Sequence, residues 1–264
     1  MNNGIGLSSL LMNIIWEFLT YQYLSKGRHG THSPFVYEFV DKCLALPISK
    51  EHQSGFRSYY KSLIKNDTEI VVQDLGAGSK KMSAKRKIAQ IAKISGSSGK
   101  YGRLLYKLTC YYKPKSILEL GTSLGLGTWM LSKGNAQSKI ITIEGCPNIY
   151  AFSKDKLASN SNVNCLNNDF NEYLKEIHPE KFDLVFIDGD HSGAKVLKML
   201  ANLDSMLHDE SIVVLDDIRW SKDMLACWEQ IISSNRYHLT MDLFRMGIIM
   251  KRAHQQKEHF IIKY

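Results

Sequence analysis

The sequence predicts a doubly wound, mostly parallel α/β sheet preceded by a helical N-terminal extension, and three observations carry that prediction. First, from Lys115 onward short apolar runs recur at Ser116–Leu120, Lys139–Ile143, Val163–Leu166, Phe182–Ile187 and Ile212–Leu215. They are rich in Ile, Val and Leu without clean alternation, as strands covered on both faces should be. Second, amphipathic stretches at 125–133, 147–159, 169–178, 192–207 and 221–234 separate them, and alternating β and α at this spacing implies right-handed crossovers between parallel strands. Third, residues 1 to about 112 have a different texture, mainly helical periodicity broken by short polar joints.

In chain order, helices are expected near 5–24, 34–45, 50–64, 81–95 and 99–112. Ser33-Pro34 supplies an N-cap and a first-turn proline for the second, and Gly96-Ser97-Ser98-Gly99 separates the last two. The five apolar runs follow. Tyr237–Met241 and Phe244–Lys251 then lie so close together that they read as an antiparallel pair at the sheet edge, for seven strands in all. The division expected is 1–98 as the extension or lid and 99–264 as the ligand-binding domain.

Composition narrows the classes. With 44% hydrophobic and 23% charged residues in 264, collagen-like and wholly disordered chains are excluded. The five cysteines are scattered, odd in number and form no CxxC pair, which points to a reducing, cytoplasmic setting rather than a disulfide framework. The apolar stretch from Ile5 to Leu24 is interrupted by Asn13, Glu17 and Gln22, so no transmembrane segment is expected. An amphipathic helix there would pack on its own protein or form a homodimer contact. The formal charge of +8 is local: eleven Lys or Arg and no acid lie between Leu75 and Leu118, which leaves 23 basic against 26 acidic residues elsewhere. Such a block can meet nucleic acid, anionic lipid or an anionic substrate, or form a solvated helix face.

In this fold class, ligands bind beyond the carboxyl ends of the strands. After the first run comes Glu119-Leu-Gly-Thr-Ser-Leu-Gly-Leu-Gly-Thr128, where glycines let a ligand approach backbone N–H groups at a helix start. The second run reaches Glu144, suited to accept hydrogen bonds from a ribose diol. The third leads to Asn168-Asp169-Phe170, the fourth to Asp188-Gly-Asp190-His191 and the fifth to Asp216-Asp217. A nicotinamide-dinucleotide fingerprint does not fit: the glycines are Gly121, Gly125 and Gly127, Met130 falls where the final glycine should be, and Glu119 would sit badly beside pyrophosphate.

The pieces ILELGTSLGLGT, ITIEG, NNDF, FDLVFIDGDHSG and IVVLDDIRW, in this order, resemble class I S-adenosylmethionine-dependent methyltransferases, with their Rossmann-like sheet. IDGDH and LDD are similar to the metal-dependent O-methyltransferases, of macrocin or catechol type, and RHGTHSPFVY resembles the N-terminus of a bacterial methyltransferase group. The resemblance implies methyl transfer from S-adenosyl-L-methionine to the hydroxyl of a small-molecule acceptor. It places Glu119, Gly121, Ser123 and Gly125 at the methionine end of the cofactor, Glu144 at the ribose, and Asp169 with Phe170 at the adenine. It implies Asp188, Asp216 and Asp217 as ligands of Mg2+, Asp188 also bordering the cofactor, and Asp190 as the base, with His191 as the other candidate. Each acid has a plainer reading as a helix cap. Methylation of nucleic acid or protein, or cofactor binding without catalysis, are the alternatives. The second glycine-bearing stretch, Asp74–Ser79, has no acid near the end of a following strand and reads as a turn or an anion-binding nest. His29 and His32 read as loop anchors or, less simply, as metal or proton-handling groups over Asp188.

Overall fold

The computed structural model describes residues 4–27, 32–73, 83–176 and 180–264. The extension begins with α1 (Gly4–Leu24) and α2 (Pro34–Glu38), which runs on as a π-helical turn over Phe39–Cys43. Next come α3 (Lys50–Ile64), a hairpin of β1 (Glu69–Gln73) and β2 (Ser83–Lys87), α4 (Ile88–Ile94) and α5 (Lys100–Tyr112). The α/β part follows as β3 (Ser116–Leu120), α6 (Leu126–Gly134), β4 (Lys139–Glu144), α7 (Pro147–Leu157), β5 (Val163–Asn167) and α8 (Phe170–Lys175). It is completed by β6 (Phe182–Ile187), α9 (Gly193–Leu203), β7 (Leu207–Leu215), α10 (Lys222–Ser233), β8 (Leu239–Asp242), β9 (Gly247–Met250) and β10 (Glu258–Ile261).

Among the described residues the main sheet has eight strands in the order β10-β8-β9-β7-β6-β3-β4-β5. Strands β3 to β7 pair in parallel and β9 runs antiparallel to both β7 and β8. The expected seven strands are therefore one too few, because β10 adds in parallel to β8 at the edge. Its sequence, Glu-His-Phe-Ile, is too polar to announce a buried strand. The helix expected over 81–95 is also corrected: residues 83–87 form a strand, with Val71 opposite Lys85, and the helix starts at Ile88. Lys85, Arg86 and Lys87 offer no apolar helical face, whereas extended pairing with β1 satisfies their backbone.

The strands are buried on both sides, as their composition requires. Ile117, Leu184, Phe186, Ile212 and Val214 pack with Leu104, Leu105 and Leu108 of α5 and Met130 and Leu131 of α6. Their neighbours Leu118, Val185, Ile187, Val213 and Leu215 pack with Val196, Met199 and Leu200 of α9 and with Trp228. This one-residue alternation is the pleat filling two cores at once. The extension is tied to the sheet rather than hung from it. Tyr21 Oη donates to the Ile262 carbonyl (2.5 Å), and Arg219 pairs with both Glu17 (3.4 Å) and Asp242 (2.7 Å). Tyr59 Oη of α3 donates to the Leu124 carbonyl (2.6 Å), bracing the turn after β3. No helix among the described residues is long and apolar enough to cross a membrane.

Candidate active site

The strand order reverses beside β3, with β4 on one side and β6 on the other. A cleft of about 680 Å³ opens at the carboxyl ends of these strands, where a doubly wound sheet binds its ligand. Gly121 and Ser123 line it from the turn after β3, Glu144 from the end of β4, Asp169 and Phe170 from the start of α8, and Asp188, Asp190 and His191 from the turn after β6. Eight of the residues singled out in the sequence thus meet in one cavity.

The turn after β3 is shaped by its glycine and by Glu144. Gly121 has φ +109° and lies so close to β6 that a Cβ there would stand 2.0 Å from the Asp188 carbonyl oxygen. Ser123 follows with φ +48°, and its N–H donates to Glu144 Oε2 (2.9 Å) while the Cys146 N–H donates to Oε1 (2.9 Å). Burial raises the proton affinity of Glu144, and these backbone donors work against it. Each oxygen has further acceptor capacity, the pair of acceptors to which a ribose diol could donate. Asp169 caps α8, its Oδ1 accepting from the Asn171 (2.8 Å) and Glu172 (3.2 Å) N–H groups. The Phe170 ring lies against Gly189, where a Cβ would be 2.7 Å from Cε2, and so presents a flat apolar wall.

Glu119 and Gly125 do not line the cleft. Glu119 lies beneath the turn, fully buried, and accepts hydrogen bonds from Thr128 (2.5 Å) and Thr142 (2.6 Å), while its Oε1 has no partner. Burial pushes its carboxyl up to about 7, against the pull of the two threonines. Glu119 therefore keeps a proton that the unfolded chain releases above pH 4.5. The native state binds more protons than the unfolded one in that window, so stability drains away as pH rises through it. Relative to Glu119→Gln, the wild-type unfolding free energy should fall by about 3 kcal/mol between the two values. Urea denaturation of both proteins across that pH range reads the difference, and parallel curves would refute the assignment.

The three acids implied as metal ligands lie near one another, but around the guanidinium of Arg245. Asp188 borders the cleft, its carboxyl pushed well up by burial and by Asp216 and Asp217. Asp216 and Asp217 lie behind the wall, both paired with Arg245. Among the described residues no group of three His, Cys, Asp or Glu side chains could hold a metal ion, so the residues present do not fit Mg2+. Burial and Asp216 raise Asp217 to about 6 despite Arg245 and His191. Asp217 has φ +54° and stands 3.8 Å from His191 Nε2. His191 in turn lies beside Trp220, ring centroids 5.6 Å apart. Asp190, also at positive φ (+58°), points Oδ1 at Lys195 Nζ (2.8 Å).

Sequence reasoning missed Trp220, an exposed aromatic on the rim, and Arg86, which enters the cleft from β2. It also missed Arg245, which the sequence reading placed within the second edge strand, Phe244–Lys251, whereas the structure starts that strand at Gly247 and leaves Arg245 in the turn before it. The basic block is not one surface among the described residues. Lys100 and Lys107 bind the carbonyls of Tyr264 and Leu44, and Lys87 pairs with Asp67. His32 is exposed and does not line the cleft. His29 and the Asp74–Ser79 stretch lie outside the described residues.

A reversed strand order, a glycine turn at the central strand and an acid at the end of its neighbour make this a doubly wound, nucleoside-binding type of sheet. Residues 118–218 match a family of methyltransferase domains, and the sheet has the Rossmann-like fold of the methyltransferase structures it resembles. No curated protein matches it in sequence. Among solved structures it is similar to a caffeoyl-CoA O-methyltransferase candidate from Staphylococcus aureus, with TM-score 0.55 and 19% identity over 62% of this chain and 88% of that one. It is also similar to a SAH-bound methyltransferase from Podospora anserina (0.51, 18%, 78% and 97%). An O-methyltransferase from Bacillus cereus in complex with SAH gives 0.51 and 15% over 82% and 96%.

Proposed function

We propose that this chain methylates a hydroxyl oxygen of a small molecule in the cytoplasm, with His191 as the group that takes the hydroxyl proton. The observation that carries the reading is the position of His191: it lines the same cleft as Glu144 and stands 3.8 Å from the Asp217 carboxylate. S-adenosylmethionine supplies, when bound, an electrophilic methyl group on a cationic sulfur. Glu144 would hold the ribose hydroxyls and Phe170 would wall the adenine. Gly121 and Ser123 would leave their backbone exposed to the methionine portion. The acceptor would enter beside His191 and Trp220, where an apolar ring surface and a proton acceptor stand side by side. His191 would take the hydroxyl proton while the acceptor oxygen took the methyl group, the carbon–sulfur pair being left on sulfur. His191 is favoured over Asp190 because Asp190 Oδ1 already accepts from Lys195. The names of the Staphylococcus and Bacillus structures support oxygen as the acceptor atom.

Calorimetric titration with S-adenosylhomocysteine tests the cofactor half of this reading. One site per chain is expected, weakened about tenfold to a hundredfold in Glu144→Ala, the loss of hydrogen bonds to a charged group. Methyl-labelled cofactor offered with hydroxylated small molecules, transfer RNA or protein tests the acceptor half. Label appearing only in RNA or protein would overturn it.

A further inference from the structure

The acids at the ends of β6 and β7 come with a cation of their own. Asp216 is closed off from solvent, and Arg245 grips it as a fork, Nε to Oδ1 at 3.0 Å and Nη2 to Oδ2 at 3.1 Å. The same Nη2 lies 2.9 Å from Asp217 Oδ1. The backbone beneath this side chain is fixed at both ends. The Ile218 N–H donates to the Arg245 carbonyl (3.0 Å), and the Arg245 N–H donates to the Leu243 carbonyl (3.0 Å). The guanidinium rests on Gly96, in the joint between α4 and α5. A Cβ there would stand 2.0 Å from Nη2, 2.3 Å from Cζ and 2.7 Å from Asp216 Oδ2. Only the absent side chain of Gly96 makes room for it.

We propose that Arg245 stands, as a fixed guanidinium, on the Asp216–Asp217 pair where the sequence resemblance implies a divalent cation, and that methyl transfer here proceeds without a metal ion. The inference rests on the methyltransferase reading above. A magnesium ion needs oxygen ligands converging at about 2.1 Å and keeps open positions for water or substrate. In this protein the facing oxygens of Asp216 and Asp217 are engaged by N–H donors in the planar, two-pronged geometry that suits arginine. A guanidinium balances the charge of the two carboxylates but offers no open coordination position, so it cannot bind and acidify the acceptor hydroxyl directly. The hydroxyl proton must leave to a side chain as the bond from oxygen to the methyl carbon forms, and His191 is that side chain. Arg245 acts at one remove: it holds Asp217 in the position from which Asp217 reaches His191. It is a positioning residue, and Gly96 is the vacancy that admits it.

The test is a Mn2+ titration of the full chain, alone and saturated with S-adenosylhomocysteine, followed by paramagnetic resonance of free Mn2+, together with turnover in EDTA. The wild type is expected to bind no Mn2+ at the cleft and to keep its full rate in EDTA. Arg245→Gln removes the resident charge from two buried carboxylates, so it should melt lower and should now bind Mn2+. At a concentration about a hundredfold above Kd, the metal should raise its melting temperature by roughly 5–10 °C. Wild-type Mn2+ binding that Asp216→Asn abolishes, or turnover lost in EDTA and restored by Mg2+, would overturn the proposal. So would a folded Arg245→Gln protein that takes up no Mn2+. If Arg245→Gln does not fold, the wild-type titration and the EDTA assay decide alone. Failure to bind S-adenosylhomocysteine would instead count against the cofactor reading and leave the Mn2+ result standing.

Discussion

Gly121→Ala should abolish cofactor binding and take about 3–5 kcal/mol from the fold, more than its single added methyl group suggests. The residue has φ +109°, which side chains of L residues avoid. The added Cβ would stand 2.0 Å from the Asp188 carbonyl oxygen and 2.7 Å from its carbon. Both obstacles are backbone at the end of β6, and neither can turn away. Strain at a glycine-only conformation and overpacking of a filled site contribute about 1–3 kcal/mol each. Relief requires the turn after β3 to move away from β6, which separates its N–H groups from Glu144 and shifts Asp188 together. A misplacement on the order of 1 Å in such a constellation costs about a hundredfold. The comparison is Gly125→Ala. Its φ is +77°, but the added Cβ meets only side chains, Tyr59 Oη at 3.0 Å and Leu157 at 3.1 Å. Urea denaturation and titration with S-adenosylhomocysteine should rank Gly121→Ala well below Gly125→Ala. Equal losses would mean that the contact with β6 does not set the shape of the turn.

What the sequence showed and hid follows from where each signal comes from. Runs such as Ser116–Leu120 and Phe182–Ile187 match β3 and β6 to the residue, because a strand covered on both faces must be apolar throughout. β10 was invisible for the opposite reason: an edge strand of four residues has half its surface free and can be polar. The β1–β2 hairpin was misread because five residues with three positive charges carry no periodicity that decides between strand and helix. At the site, the residues that follow each strand were legible because the topology gathers strand ends. Their partnerships were not. Glu119 reads as a ligand contact in a linear motif, yet the threonines that claim it, Thr128 and Thr142, come from α6 and β4. The Asp216-Asp217 pair reads as a metal site until Arg245 arrives from a turn nearly thirty residues later. Contact across elements, not residue type, decides both cases.

His191→Ala should lower kcat by about 10²–10⁴-fold, the usual contribution of a positioned proton acceptor, while leaving S-adenosylhomocysteine affinity near that of the wild type. The split is expected because the ring stands on the acceptor side of the cleft, between Asp217 and Trp220, and not among the groups proposed to hold the nucleoside. Asp217→Asn should reproduce part of the kcat loss by leaving His191 without its carboxylate. Asp190→Asn is the discriminating control. Its carboxylate is held by Lys195 at 2.8 Å, so its loss should disturb the turn after β6 but cost kcat far less than His191→Ala does. If instead Asp190→Asn abolished turnover and His191→Ala retained it, the proton would go to the carboxylate. Lys195 would then have to release Asp190 when the acceptor enters, and the pairing of His191 with Asp217 would be only a structural brace at the mouth of the cleft.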